Sequence, residues 1–220
     1  MVPDIPLFLG SWADGYQLTH SLVGIAVVDP ILTMLVLLVW FSLFRDAVVD
    51  MAPAAIRSRL AERVRLGGRE WLLVPVAGCV GAATHLFWDS FTHPRRWGPR
   101  HIEWLRADHL GLVGLRWAQY SSGVVGLVIV TWAVVHYLRT IDPPSDVDVR
   151  RPPVFPPTVL PGLLACSGLV GVVSAIRTIP DGFHPMAFFF VVNGLVALVL
   201  AGGVACVVWH AKRRSSPTRA

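Results

Sequence analysis

Charge is scarce in this sequence. Asp, Glu, Lys and Arg make up 15% of its 220 residues, where a soluble domain carries about a quarter. Hydrophobic residues make up 54%, and the mean hydropathy is +0.59. Lysine is almost missing: 18 of the 19 basic residues are Arg. The three cysteines, Cys79, Cys166 and Cys206, form no CxxC pair and lie inside apolar runs, so they read as small buried hydrophobes. The opening Met1-Val2-Pro3-Asp4 has no basic region and no cleavage site, so insertion is expected to rely on the first spanning helix. The net charge of +5 comes with no basic helix, finger spacing or stacking motif, which argues against a nucleic-acid partner. No internal repeat is evident.

What is there instead is a set of long apolar runs, near 22–44, 70–91, 110–138, 159–176 and 186–210. Each is long enough as a helix for a hydrocarbon core of about 30 Å. All are far longer than the roughly ten alternating residues of a barrel strand. The expected fold is therefore all-α, a polytopic helical membrane protein with about five transmembrane helices. Four segments are expected: a membrane domain over 1–140, a Pro-rich linker over 141–158, a two-helix hairpin over 159–211 and a basic tail over 212–220. With the loop 45–69 inside, thirteen Arg and Lys fall inside and five outside. That bias predicts an outer N-terminus and a cytoplasmic C-terminus.

Against this background one stretch stands out, His85-Leu86-Phe87-Trp88-Asp89-Ser90-Phe91-Thr92-His93-Pro94. His85, Asp89 and His93 recur every fourth residue, so on a helix they share one face. Pro94 stops that helix, leaving His93 in its last turn or just beyond. Ionisable groups in a greasy segment mark a functional site by default. The predicted topology brings His20 and Asp4 to the same membrane face, where either can complete a metal shell of His and carboxylate ligands. The plainer alternative is that His85 and Asp89 satisfy each other, with His93 solvated. Asp89 and His93 are the candidate catalytic groups.

Two further ionisable groups, Asp29 and Arg116, lie at similar depth in the first and third spans. They read as a compensating intramembrane pair, or as groups around the ligands or the substrate. Gln119 and Tyr120 either bond to ligands or cross-link helices. His101 and His109 read as surface histidines. Trp71, Trp88, Trp97, Trp104 and Trp117 read as interfacial anchors.

The segments Val2–Phe8, His20–Gly24, His85–Pro94 and Gln119–Gly123 together resemble the bacterial family called domain of unknown function 4184, over roughly residues 1–140. That family is distantly similar to membrane-bound metal-dependent hydrolases whose His and Asp pattern resembles zinc-dependent phospholipase C. The resemblance implies His20, His85, Asp89 and Asp4 as ligands of zinc or another divalent metal, with His93 next. It also implies a further segment bearing Ser-His-Pro and an apolar helix ahead of the Pro3-Asp4 motif; here Met1 falls at that point.

The expected function is hydrolysis of a phosphoester or another ester, in a small molecule or a membrane lipid, at the outer face of a bacterial inner membrane. The rival is a non-catalytic membrane protein with a structural metal or polar site that docks a partner. A transporter fits less well, because the polar groups gather near one face and not at midplane.

Overall fold

The computed structural model describes residues 2–10, 14–143 and 151–215. The middle of the expected linker, 144–150, and the end of the basic tail, 216–220, lie outside the described residues. The chain opens with a tight turn at Val2–Asp4, then α1 (Ile5–Phe8) and α2 (Asp14–Thr19). The first long helix begins in a wide π-type turn, Gly24–Val28, and continues through α3 (Asp29–Val39), a second wide turn at Trp40–Phe44 and α4 (Arg45–Met51). After α5 (Ala54–Arg57) come α6 (Gly68–Thr92), α7 (Trp97–His101) and α8 (Glu103–Arg106). A two-residue ladder pairs β1 (Asp108–His109) antiparallel with β2 (Leu112–Val113). Three long helices follow, α9 (Gly114–Thr140), α10 (Val159–Arg177) and α11 (Phe183–Ser215), with a 3-10 turn at Ile179–Asp181 between the last two.

Five helical segments are long and apolar enough to cross a membrane, and the protein is a polytopic helical membrane protein. Their outward residues are the bulky ones: Leu127, Val128 and Trp132 of α9 and Leu200 and Val204 of α11 are each more than half exposed. In water such continuous apolar surface would be a liability; in lipid it is the solvated face.

The structure divides into two compact units, Met1–Met34 with Gly68–Ile141 and Leu35–Gly67 with Asp142–Ala220. Each unit is discontinuous in sequence, with residues 35–67 grouped with the C-terminal hairpin.

In the first unit, Ser21 opens the wide turn, its hydroxyl accepting the Gly24 N–H at 3.0 Å. Only glycine fits at 24, since a Cβ there would lie 2.6 Å from the Thr19 carbonyl oxygen. Farther along, Gly78 of α6 lets that helix close on Pro30 and Thr33.

In the second unit, α10 and α11 form a tight antiparallel hairpin, with Asn193 Nδ2 donating to Ser174 Oγ at 3.0 Å. The basic loop expected to start at Arg45 begins only after Met51. Arg45, Asp46 and Asp50 are buried in α4, and each charge is paired. Asp46 accepts from Arg45 at 3.1 Å and from Arg65 at 2.8 Å. The Asp50 carboxylate accepts from Trp209 Nε1 (2.7 Å), the Val154 N–H (2.9 Å), Arg213 (3.0 Å) and Arg57 (3.2 Å). A helix can thus carry three charges past its apolar run because partners from distant sequence meet them.

Removing the Asp50 carboxylate leaves a buried indole N–H and a guanidinium without their acceptor. Asp50→Ala is expected to cost about 3–5 kcal/mol, read as a lower thermal unfolding midpoint of the detergent-solubilised chain; an unchanged midpoint would show that the network carries no stability.

Candidate metal centre

α6 places His85 and Asp89 one turn apart on one face and ends at Thr92, as Pro94 requires. The other contributors come from the start of the chain. Asp4 lies at the end of the Val2–Asp4 turn, and His20 directly follows α2. One buried hydrogen bond ties these two segments together: Thr19 Oγ1 donates to the Pro3 carbonyl at 2.8 Å. All of these residues belong to the first unit.

Their tips converge. Asp89 Oδ2 is 3.4 Å from His20 Nε2 and 3.4 Å from His85 Nε2. Asp4 Oδ1 is 3.5 Å from His85 Nε2 and 3.8 Å from His20 Nε2. Asp4, His20 and His85 each offer an atom within 4.8 Å of the others. Two ligands of a tetrahedral ion at bond lengths near 2.05 Å stand about 3.3 Å apart, so this spacing suits a shared cation.

Hydrogen bonding makes the same case. His20 Nε2, His85 Nε2 and Asp89 Oδ2 are buried and have no hydrogen-bond partner among the described residues. His85 and Asp89 therefore do not simply satisfy each other. His20 Nδ1 lies 3.0 Å from the Tyr16 carbonyl oxygen. A carbonyl only accepts, so Nδ1 carries the proton and Nε2 of the neutral ring presents its lone pair to the cluster. Three buried polar atoms aimed at one another without hydrogen bonds are costly alone and cease to be so around a cation. Two imidazole nitrogens with carboxylate oxygens suit zinc and other divalent first-row ions.

The cluster is open on one side. The His20 side chain is 1% exposed and that of Asp89 10%, while Asp4 reaches 23% and His93 36%. Burial pushes the Asp4 carboxyl up, but the pull of His85, and more weakly of His20, outweighs it and holds the carboxyl below its ordinary value. Asp4 is thus a carboxylate at neutral pH. His93 bears on the far oxygen of Asp89, its Nδ1 3.4 Å from Oδ1, and stands apart from the convergent tips.

Tyr16 was not anticipated. Its ring stacks on His20 with centroids 3.7 Å apart. Burial, then the charges of Asp89 and Asp4, push its phenol up to about 12 against the opposing pull of Arg96. The hint in the sequence was its position four residues before His20. The Thr19–Pro3 bond, which joins residues sixteen apart, left no local signal.

The remaining candidates separate. Asp29 is fully buried, neither of its oxygens has a hydrogen-bond partner, and it lies within electrostatic reach of His20, His85 and Asp4. The expected Asp29–Arg116 pair does not form. Arg116 Nη1 donates instead to Gln119 Oε1 at 2.7 Å, one turn along its own helix, a local partner that costs no approach between helices. Tyr120 sits within electrostatic reach of Arg116. His101 and His109 stack on Trp97 and Trp104 and bond to the carbonyls of those same residues. Arg116 also lines a cavity of about 440 Å³ with Arg95, Arg100 and Arg106. None of these four guanidinium groups has a carboxylate partner among the described residues.

The sequence matches the family described as Domain of unknown function (DUF4184) over residues 1–210, and the chain belongs to that family. The match runs past the 1–140 that the motifs cover and takes in the α10–α11 hairpin. No curated protein and no solved structure matches the chain.

Thr19→Val keeps the buried volume and removes the bond that fixes the Asp4 segment against His20. The expected result is metal affinity weakened by about 10–100-fold with helix content unchanged, measured by metal titration of the purified chain. Unchanged affinity would show that the tie to Pro3 does not position the cluster.

Proposed function

We propose that this family member is a membrane-embedded, metal-dependent hydrolase of phosphoesters, with Asp4, His20, His85 and Asp89 as ligands of zinc or another divalent ion. The observation that supports it best is the set of buried imidazole and carboxylate atoms without hydrogen bonds, spaced as ligands of one cation are. A divalent ion supplies at such a site a water acidic near neutral pH and a positive charge against a phosphoryl oxygen. The bias of Arg and Lys among the loops supports a centre on the outer face of the membrane.

The chain's own residues would divide the remaining work. Asp89 would lend Oδ2 to the shared ion beside the two imidazoles, while its Oδ1 lies 3.4 Å from His93 Nδ1. His93, on the exposed side, accepts the proton released as the water oxygen bonds to phosphorus, and returns one to the leaving oxygen as the phosphorus–oxygen bond breaks. Tyr16 stays a neutral hydrogen-bond donor at physiological pH. The phosphoester is favoured over other esters by the four arginines of a cavity that Pro94, the residue after His93, also lines; their planar donors match phosphate oxygens. Arg95 follows His93 by two residues.

A second reading has one observation in its favour. Four protein donors, with His20 almost wholly buried, also suit a closed structural ion. Under that reading, metal removal lowers the unfolding midpoint and no phosphoester is turned over.

The test is elemental analysis and phosphodiesterase assay of the detergent-purified chain. His85→Ala and Asp89→Ala are each expected to lose stoichiometric metal and to drop turnover beyond the roughly 10–100-fold that lost supporting groups cost. Metal retained in both variants removes the proposal; metal lost without any turnover in the parent protein leaves the structural ion. Arg100→Gln with Arg106→Gln is expected to raise KM for an anionic phosphodiester about tenfold with kcat kept, the mark of lost ground-state binding; an unchanged KM detaches this cavity from the substrate.

A further inference from the structure

The second unit contains a basic cavity that owes nothing to the metal centre. It encloses about 270 Å³ and is lined by Arg63, Arg65, Arg151, Arg213 and Arg214, with Asp46 as its one carboxylate. That carboxylate is already engaged by Arg45 at 3.1 Å and Arg65 at 2.8 Å. Arg213 is tied through one nitrogen to Asp50 at 3.0 Å, and its buried Nε has no hydrogen-bond partner. Arg63, Arg151 and Arg214 have no carboxylate partner among the described residues. Like charges held around a small cavity repel, and the fold keeps them there by fixed elements: the buried Asp50 network anchors Arg213 and Trp209, and α11 carries Arg214 beside them.

Three features narrow the ligand. Planar guanidinium forks arranged around a cavity match the oxygens of a phosphate better than a lone carboxylate. The cavity lies at the end of a spanning helix, the level at which headgroups sit. Trp209 lines it, and within about a turn and a half below it on α11 the apolar Val204, Val207 and Val208 are exposed, offering a course for acyl chains.

We propose that the cavity bounded by Arg63, Arg65, Arg151, Arg213 and Arg214 binds a phosphate group, that of an anionic phospholipid headgroup at the membrane surface. The arginines of this region then do more than set topology: the surplus charge is completed by a lipid.

The test uses the full chain, delipidated in neutral detergent and titrated with three probes: short-chain phosphatidylglycerol, short-chain phosphatidylcholine and inorganic phosphate. Bound ligand is counted by native mass spectrometry. One phosphatidylglycerol per chain is expected, held at least about tenfold more tightly than phosphatidylcholine, since each 1.4 kcal/mol is a factor of ten. Arg63→Gln combined with Arg214→Gln should weaken it by a similar factor. Both side chains are exposed, so the fold should survive, and Arg177→Gln, at the opposite end of the α10–α11 hairpin, should leave binding unchanged. Should the double variant fail to fold, the unmodified chain still decides: phosphatidylglycerol binding must fall steeply as salt is raised from about 0.05 M to 0.5 M. Binding that ignores both salt and the arginines overturns the site. Inorganic phosphate held as tightly as the lipid overturns the lipid assignment and makes the ligand a soluble phosphate.

Discussion

Burying an ionisable group in an apolar chain is costly unless something meets its charge, and this constraint organises both halves of the protein. In the second unit the answer is protein: Asp50 is met by an indole, a backbone N–H and two guanidinium groups. In the first unit the side chains leave the demand open. His20 and His85 turn Nε2 toward the same Asp89 oxygen, and among the described residues no hydrogen bond closes between them. The contrast is physical, since both sets are buried in the same chain and only one is satisfied from within. Membership of the Domain of unknown function family ties this arrangement to a protein class and leaves its chemistry to be read from the side chains.

Much of this was visible before any coordinates. Periodicity of three and a half to four places His85, Asp89 and His93 on one face whatever the tertiary structure, and long apolar runs allow little besides spanning helices. His20 and Asp4 were reachable because charge bias in the loops assigns them to the same face as the end of α6. What the sequence hides is lateral geometry. Depth along a helix can be counted in residues, and by that count Asp29 and Arg116 are neighbours. Rotation about the helix axis cannot be counted, so equal depth makes no pair, and Arg116 bonds instead to Gln119, three residues along its own helix. The division of α4 from the basic loop failed for a related reason: Arg45 and Asp46 look like solvated residues until Arg65 and Asp50's partners arrive from elsewhere in the chain.

The candidate centre is built from few supports, each doing a distinct job. A threonine hydroxyl fixes the Asp4 segment, a backbone carbonyl selects the tautomer of His20, and a tyrosine ring limits how that imidazole can tilt. Helix geometry alone sets the distance from His85 to Asp89. Among the described residues of the cluster, Asp4 and His93 are the most exposed, so the open side presents a carboxylate and an imidazole.

The wide turn at Gly24–Val28 carries a further implication. Such a turn is an α-helix with one residue inserted, and it can be undone by deleting one. At 3.6 residues per turn, that deletion would swing everything before it by about 100° around the axis. Ser21, His20 and the segment tied to Thr19 would rotate off the face of α6 without a single ligand having changed. The loss of one residue here would therefore scatter the cluster while every histidine and aspartate in it stayed in the sequence.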